Sequence, residues 1–198
     1  MYRWEIINRE IKLNNYKSYL EIGIETGSHH SKIKALDKVG VDPDPKSAAS
    51  HKMTSDEFFK VNKKQWGKTF DIVFIDGLHE ADQVYRDIVN SIEVLNEGGT
   101  IVLHDLLPET EGQQIVPREQ KVWTGDCWKG FVKWRKENWG KHRSFTVDTD
   151  WGVGVLKPIP TNAKCKIPDV EYNWESFLKY KKELLSVISY KDYIRRAR

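Results

Sequence analysis

The chain has 198 residues, 39% of them hydrophobic and 31% charged, with a formal net charge of +3. That length suits one domain with an appended helix and a sizeable core, and the charge is too small to argue for a nucleic-acid partner. No apolar run is long enough for a transmembrane span, and "MYRWEIINRE" carries charges where a signal peptide needs an apolar centre, so the expectation is a cytoplasmic protein without a membrane partner.

In chain order, residues 2–15 read as an opening helix, with Trp4, Ile7 and Ile11 at helical spacing. "SYLEIGI" is a short apolar strand, "SKIKALDK" a very short helix or turn, and "VGVD" a second strand stopped by "PDPKS". "TSDEFFKVNKKQW" has the Ser/Thr/Asp start of a helix, and "FDIVFID" is a buried strand ending in a carboxylate. In "HEADQVYRDIVNSIEVLNEGG", Val84, Ile88, Ile92 and Leu95 mark one helical face that Gly98-Gly99 is expected to end. "TIVLHD" is another buried strand. Residues 106–126 lack periodicity and read as a long, mobile loop. "CWKGFVKWRKENW" is a helix, "SFTVDT" and "GVGVLKP" an antiparallel pair, 158–172 a Pro-containing linker. "NWESFLKYKKELLSVI" is a terminal helix with Trp174, Phe177, Leu178, Leu185 and Ile188 as its apolar positions, and "KDYIRRAR" a solvated basic end. Cys127 and Cys165 have no metal or redox spacing and read as free thiols.

Strands alternating with helices imply a parallel sheet covered on both faces, with a hairpin at one edge. Ligands of such sheets bind beyond the carboxyl ends of the strands. Those ends deliver Glu21, Gly23 and Gly27, then Asp42, then Asp76 and His79, then His104 and Asp105, with Ser55 and Asp56 at a helix start beside them. Asp42 follows Gly23 by the spacing that lets a carboxylate accept ribose hydroxyls. The dinucleotide pattern G-x-G-x-x-G fails, because Glu25 stands at its second glycine. A carboxylate there repels pyrophosphate and suits a nucleoside with a charged amino-acid tail.

The ordered stretches "GVDPDP", "FDIVFIDGLHEADQVYRDI" and "LNEGGTIVLHDLLP", with "YLEIGIETG" ahead of them, resemble class I S-adenosylmethionine-dependent methyltransferases. They look most like the small sugar- and glycan-associated family (methyltransferase domain 24-like), from about Tyr19 to Leu156. The resemblance implies a Rossmann-like, mostly parallel seven-stranded sheet with an antiparallel C-terminal strand pair. It implies a methyltransferase domain over residues 1–157, then a linker and C-terminal helix over 158–198 packing on it or on a partner subunit. It also implies S-adenosyl-L-methionine as cofactor, held by Glu21, Gly23 and Gly27 at the methionine part, Asp42 at the ribose, and Thr54, Ser55 and Asp56 near the adenine, with Asp76 close by. The segment between Gly27 and Val39 is short for this fold, which could leave the cofactor more exposed.

Methyl transfer to a hydroxyl needs a base, or a metal that lowers the hydroxyl pKa. Asp76 and Asp105 end neighbouring strands and could converge on Mg²⁺, a candidate second cofactor, as in catechol O-methyltransferase and metal-dependent sugar O-methyltransferases. The structural alternative is that Asp76 caps a helix or only touches substrate. His79 is the first candidate base and His104 the second, although a single histidine is more often structural. His29 and His30 are weaker candidates that could face the cofactor. Asp126, Trp128 and Lys129 form a candidate acceptor site behind a lid, against which stands the reading of Trp128, Phe131 and Trp134 as a core face. Asp150 and Trp151 could line the acceptor pocket. The leading reading is an O-methyltransferase acting on a small hydroxylated acceptor such as a sugar or glycan precursor. A homodimer through the C-terminal helix is open. The alternatives are a nucleic-acid or protein methyltransferase, against which "IDGLH" counts, an NAD-dependent oxidoreductase, and a nucleoside-binding module with an idle site.

Overall fold

The computed structural model describes residues 2–196; the last two residues of "KDYIRRAR" and Met1 lie outside the described residues. α1 (Arg3–Asn14) leads into β1 (Ser18–Ile22), a short 3-10 turn (His30–Lys32) and β2 (Asp37–Val41). α2 (Ser55–Val61) runs on into a π turn (Asn62–Trp66) before β3 (Phe70–Ile75). α3 (Ala81–Glu93), β4 (Leu95–Leu103), the short α4 (Glu111–Gln114) and α5 (Cys127–Glu137) follow. β5 (Arg143–Asp148), β6 (Val153–Lys157), α6 (Trp174–Leu185), β7 (Val187–Ser189) and α7 (Tyr190–Arg196) complete the chain.

One seven-stranded sheet has the order β2-β1-β3-β4-β6-β5-β7. Only β6 runs against its neighbours, β4 and β5. Strand alternation makes two cores. Leu20, Ile22, Val73, Ile75, Ile101 and Leu103 pack beneath α2, α3, α5 and α6, against Phe58, Ile88, Phe131 and Phe177. Tyr19, Ile72, Phe74 and Val102 face the other way, beneath Ile6, Ile7 and Ile11 of α1 and Tyr193 of α7. Each fully buried large apolar side chain contributes about 1.5–3 kcal/mol. No helix of the described residues is long and apolar enough to cross a membrane.

Three segments differ from the sequence reading. The α3 helix stops at Glu93, and Leu95 already pairs with Phe70 in the sheet. The Phe70 amide donates to the Val94 carbonyl, and Asn96 Nδ2 donates to Asp71 Oδ1 at 2.7 Å, so sheet pairing ends the helix before the glycine pair is reached. Residues 106–126 contain α4, with Gln113 and Gln114 buried. Trp128 Nε1 donates to Gln114 Oε1 at 2.6 Å and Thr124 Oγ1 to the Gln113 carbonyl at 3.1 Å, an order carried by polar groups and therefore invisible to hydrophobic periodicity. Finally, α6 ends at Leu185 and Ile188 lies in β7, which pairs with β5. The break is fixed by Arg135, fully buried, whose Nη2 and Nε donate to Ser186 Oγ and Ser144 Oγ at 2.7 Å and whose Nη1 donates to the Leu184 carbonyl. Cys127 is buried and Cys165 exposed, and both are free.

Candidate active site

β1, β2, β3 and β4 finish at one rim, and a cleft of about 720 Å³ opens over it. Each strand contributes residues at or just past its end: Ile22 and Gly23, Val41 and Asp42, Asp76 and Gly77, His104 and Asp105. Gly23 is the residue that lets the rim close. Its φ is +85°, and an added Cβ would lie 2.0 Å from the Asp76 carbonyl oxygen, so any side chain would be excluded.

One half of the cleft is built from backbone amides and hydroxyls. Asp42 accepts the amides of Glu25 and Asp44, both at 2.9 Å, and each carboxylate oxygen keeps a lone pair for a further donor. Thr54 caps α2, its Oγ1 accepting the Glu57 amide at 3.2 Å while its own amide donates to Glu57 Oε2 at 2.9 Å. Ser55 Oγ accepts from Gln83 Nε2 at 3.1 Å, and Met53, Ser55 and Gln83 form the wall.

The other half is a network of charges. His104, buried, has Nδ1 3.3 Å from Asp76 Oδ1 and 3.2 Å from Asp105 Oδ1, and its Nε2 faces Asp150 Oδ2 at 3.7 Å. His79 lies between the same two carboxylates, Nε2 3.4 Å from Asp76 Oδ1 and Nδ1 3.3 Å from Asp105 Oδ2. Arg3, from the first turn of α1, reaches Asp76 through Nε at 3.4 Å and Asp150 through Nη1 at 3.3 Å. Burial works against every charge here, but the mutual fields prevail. Asp76 is held well below the ordinary carboxylate range by His104 and His79, and Asp150 is lowered to about 2 by His104 and Arg3. Desolvation lowers both imidazoles, yet Asp76 and Asp105 raise His79, and with greater force His104. With His104 and Arg3 charged against three carboxylates the cluster carries one net negative charge, and a proton on His79 cancels it.

The backbone around this half is strained. Among the described residues, Asp105 (φ +58°), Asp150 (+48°) and Trp151 (+54°) adopt left-handed conformations without being glycine, as does Glu25 (+47°) on the opposite wall. Trp123 stacks on His79 with centroids 5.4 Å apart, and its Nε1 donates to the Ile115 carbonyl at 2.6 Å. Trp151, 41% exposed, lines the same end.

Asp76, His79 and Asp105 each bring one donor atom within 4.8 Å of the others, a set with the hard oxygens Mg²⁺ prefers. Arg3 stands against it. Its guanidinium lies 3.4 Å from Asp76 and, with His79 and His104 against the same carboxylates, already neutralises charge that a divalent ion would need. The set therefore does not fit a divalent ion while Arg3 is in place.

Residues 13–106, just under half of the chain, match a family model described as a methyltransferase domain. Among curated proteins none matches. The chain is similar to the solved O-methyltransferase from Bacillus cereus in complex with SAH, at 11% identity and a TM-score of 0.59 over 79% of this chain and 80% of that one. It is similar to the O-methyltransferase TomG from Streptomyces achromogenes, involved in tomaymycin synthesis and in complex with SAM, at 13% identity and 0.59 over 79% of each. It is also similar to cofactor-bound Rv0187 from MTB, at 14% identity and 0.55 over 81% and 82%. The fold is that of the Rossmann-like methyltransferases.

In this methyltransferase fold the cleft gathers Gly23, Asp42, Thr54, Ser55, Asp76, His79, His104, Asp105 and Trp151 from the sequence candidates. It does not gather the others. Glu21 alternates to the α1 face of β1, where its carboxylate is 2.9 Å from His29 Nδ1, 2.8 Å from His30 Nδ1, and accepts the Tyr19 hydroxyl at 2.8 Å. The two histidines thus face Glu21. Gly27 shapes a turn against Ala48. Asp56 is exposed and pairs with Arg86 at 3.4 Å. Asp126 Oδ1 accepts the Ala81 amide at 2.7 Å, capping α3, and its Oδ2 pairs with Lys129 at 3.4 Å. Trp128 is fully buried on Phe177, centroids 5.0 Å apart. The sequence reading passed over Arg3, Gln83 and Trp123. Gln83 lay within "HEADQVYRD", quoted for the resemblance, and Trp123 was an apolar residue in an unpatterned loop; Arg3 offered no signal beyond a charge at a helix start.

Proposed function

We propose that this protein is an S-adenosylmethionine-dependent methyltransferase that O-methylates a small hydroxylated acceptor such as a sugar or glycan precursor. The observation carrying this is the division of one cleft into a carboxylate-rimmed seat at Gly23, Asp42 and Ser55 and a proton-accepting imidazole at His79 beyond it. The first half suits a nucleoside: Asp42 accepts ribose hydroxyls, and Glu25 on the wall favours a positive tail over a pyrophosphate. The neighbours named above, solved with SAH or SAM, support the same ligand.

S-adenosylmethionine, when bound, supplies an electrophilic methyl group on a positively charged sulfur. The chain's own residues do the rest. Gly23 lets the ligand approach the backbone. His79 takes the proton of the acceptor hydroxyl as its oxygen attacks; Nδ1 is buried beside Asp105, so the proton goes to Nε2, where Asp76 Oδ1 at 3.4 Å stabilises it. Asp76 and Asp105 hold the imidazole and stabilise it once charged. His104 and Arg3 keep Asp76 and Asp150 ionised. Trp151, exposed at the cleft, offers an apolar face to a ring-bearing acceptor, which favours a sugar.

Calorimetry with S-adenosylhomocysteine tests the first half, and transfer of labelled methyl from S-adenosylmethionine to a panel of free sugars, sugar nucleotides and phenols tests the second. Micromolar binding with transfer to hydroxyl oxygen is expected. Failure to bind the nucleoside, or transfer only to nitrogen, would overturn the reading.

A further inference from the structure

Arg3 is gripped more firmly than a surface arginine at a helix start would be. Its amide donates to Asp150 Oδ2 at 2.8 Å and its Nη1 reaches the same oxygen at 3.3 Å. Its Nε, 3.4 Å from Asp76 Oδ2, is buried without a hydrogen-bond partner, and the side chain lines the cleft. Asp150 makes this grip from a left-handed backbone, and the next residue, also left-handed, is fastened by the Leu107 amide on the Trp151 carbonyl at 2.7 Å. Tyr2 and Glu5 fix the start of α1, the Tyr2 amide donating to Glu5 Oε2 at 2.8 Å. The strain and the fastening bring one fixed cation to the carboxylates at the mouth of the acceptor half.

We propose that Arg3 is the resident cation of this site, standing beside Asp76 where a divalent ion would otherwise be needed and binding the acceptor oxygen as it gives up its proton to His79. The inference rests on the methyltransferase reading for its chemistry, but its electrostatic core does not. A divalent ion and the Arg3 guanidinium compete for the same carboxylates, so removing one opens the site to the other.

The test uses the full chain and Mn²⁺ as probe, followed by calorimetry and electron paramagnetic resonance. The native protein should bind Mn²⁺ weakly. Arg3→Gln should bind it at least about tenfold more tightly, through Asp76, His79 and Asp105, and Arg3→Gln with Asp105→Asn should lose that gain. In turnover, Arg3→Gln should lower kcat with little change in S-adenosylhomocysteine affinity, Arg3→Lys should recover part of it, and the native rate should survive EDTA. Micromolar Mn²⁺ binding by the native protein would overturn the inference without any variant, as would an Arg3→Gln protein of native stability that gains no affinity. Absence of S-adenosylhomocysteine binding would instead sink the methyltransferase reading and leave the Mn²⁺ result standing.

Discussion

The molecule holds two clusters of carboxylate and imidazole, one built on a residue within β1 and the other just past the ends of β3 and β4. Around Glu21, one carboxylate serves two histidines and a tyrosine, and all four groups are spent on one another. Around Asp76, three carboxylates face two histidines and an arginine, and the group left between protonation states borders a cleft. The residue types are nearly the same. What separates a sealed polar core from a reactive site is position along the strands, which leaves Glu21 within β1 under its own histidines and Asp76 past the end of β3 at the cleft, and the surplus of negative charge at Asp76 that keeps a proton acceptor at work.

The sharpest way to break that contrast is at His79. His79→Ala is expected to lower kcat by about 10²–10⁴-fold while leaving the Kd for S-adenosylhomocysteine within twofold, measured by stopped transfer assays and calorimetry. Because Asp76 and Asp105 raise its pKa against the opposing effect of burial, the base form appears only as pH climbs past a point above the ordinary imidazole value of 6.5. kcat/KM should therefore rise with pH through that point and fall below it. A profile already flat at pH 6, or a variant with native kcat, would return His79 to a structural role.

A third buried carboxylate sharpens the comparison by lacking histidines. Asp87, 1% exposed, has one oxygen without a partner and the other accepting Gln83 Nε2 at 3.0 Å. Burial therefore wins and lifts it from 3.8 to about 6. A raised acid binds its proton more tightly in the folded state, so stability falls as pH rises between about 4 and 6 and the full cost is felt above. Asp87→Asn should remove that cost, up to roughly 3 kcal/mol, since each tenfold change in proton affinity is worth about 1.4 kcal/mol. Urea melts should show the variant more stable at pH 8, with the advantage shrinking toward pH 4. Equal stability at both pH values would mean that a buried water or Ser91 already solvates the charge.

These contrasts mark what was legible in the sequence. The strand ends were, because buried parallel strands read as apolar runs stopped by a carboxylate, and "FDIVFID" and "TIVLHD" do so plainly. Glu21 falls outside the cleft lining, and the information for that was present: Leu20 and Ile22 share a face, so the residue between them must leave it. Trp128 and Asp126 were dense in chemistry yet serve packing and the cap of α3, which no local pattern distinguishes from a substrate site. Arg3 could not be read at all, since its partner Asp150 lies 147 residues away and only the sheet brings them together.

The contrast itself can be tested by exchanging effects between the two clusters. Glu21→Gln removes an acceptor from His29, His30 or Tyr19 and should cost about 1–3 kcal/mol, a fall in Tm of roughly 2–4 °C per kcal/mol for a chain of this length, with nucleoside affinity unchanged. Burial pushes the Glu21 pKa up, but the hydrogen bonds from His29, His30 and Tyr19 bring it below its usual 4.5. That contribution is complete above pH 4.5 and is lost as pH falls through the lowered value, so the difference between the proteins should close in acid. Asp42→Ala should do the reverse, weakening S-adenosylhomocysteine by tens of fold with Tm nearly constant, since it removes a hydrogen bond to a charged group worth about 1.5–3 kcal/mol. Loss of nucleoside affinity in Glu21→Gln at native stability would show that the two clusters communicate.

The smallest expected effect sits at the start of α2, where neighbouring residues fall on either side of the cleft edge. One residue turns a helix by about 100°. Ser55 therefore lines the cleft while Asp56 stays outside its lining, its side chain 47% exposed, paired with the half-exposed Arg86 at 3.4 Å and accepting from Nε2 of the wall residue Gln83 at 3.3 Å. Such a pair is worth about 0–1 kcal/mol, because solvent screens it and two flexible side chains must be ordered to make it. Asp56→Ala should then leave Tm and the Kd for S-adenosylhomocysteine close to native. Ser55→Ala, which removes a hydroxyl from the wall, should weaken binding by roughly the factor that one neutral hydrogen bond of about 1 kcal/mol implies. If Asp56→Ala instead proved the more damaging of the two, the Asp56–Arg86 pair must open on ligand binding and swing the carboxylate inward, and the place of Asp56 outside the lining would hold only before the nucleoside enters.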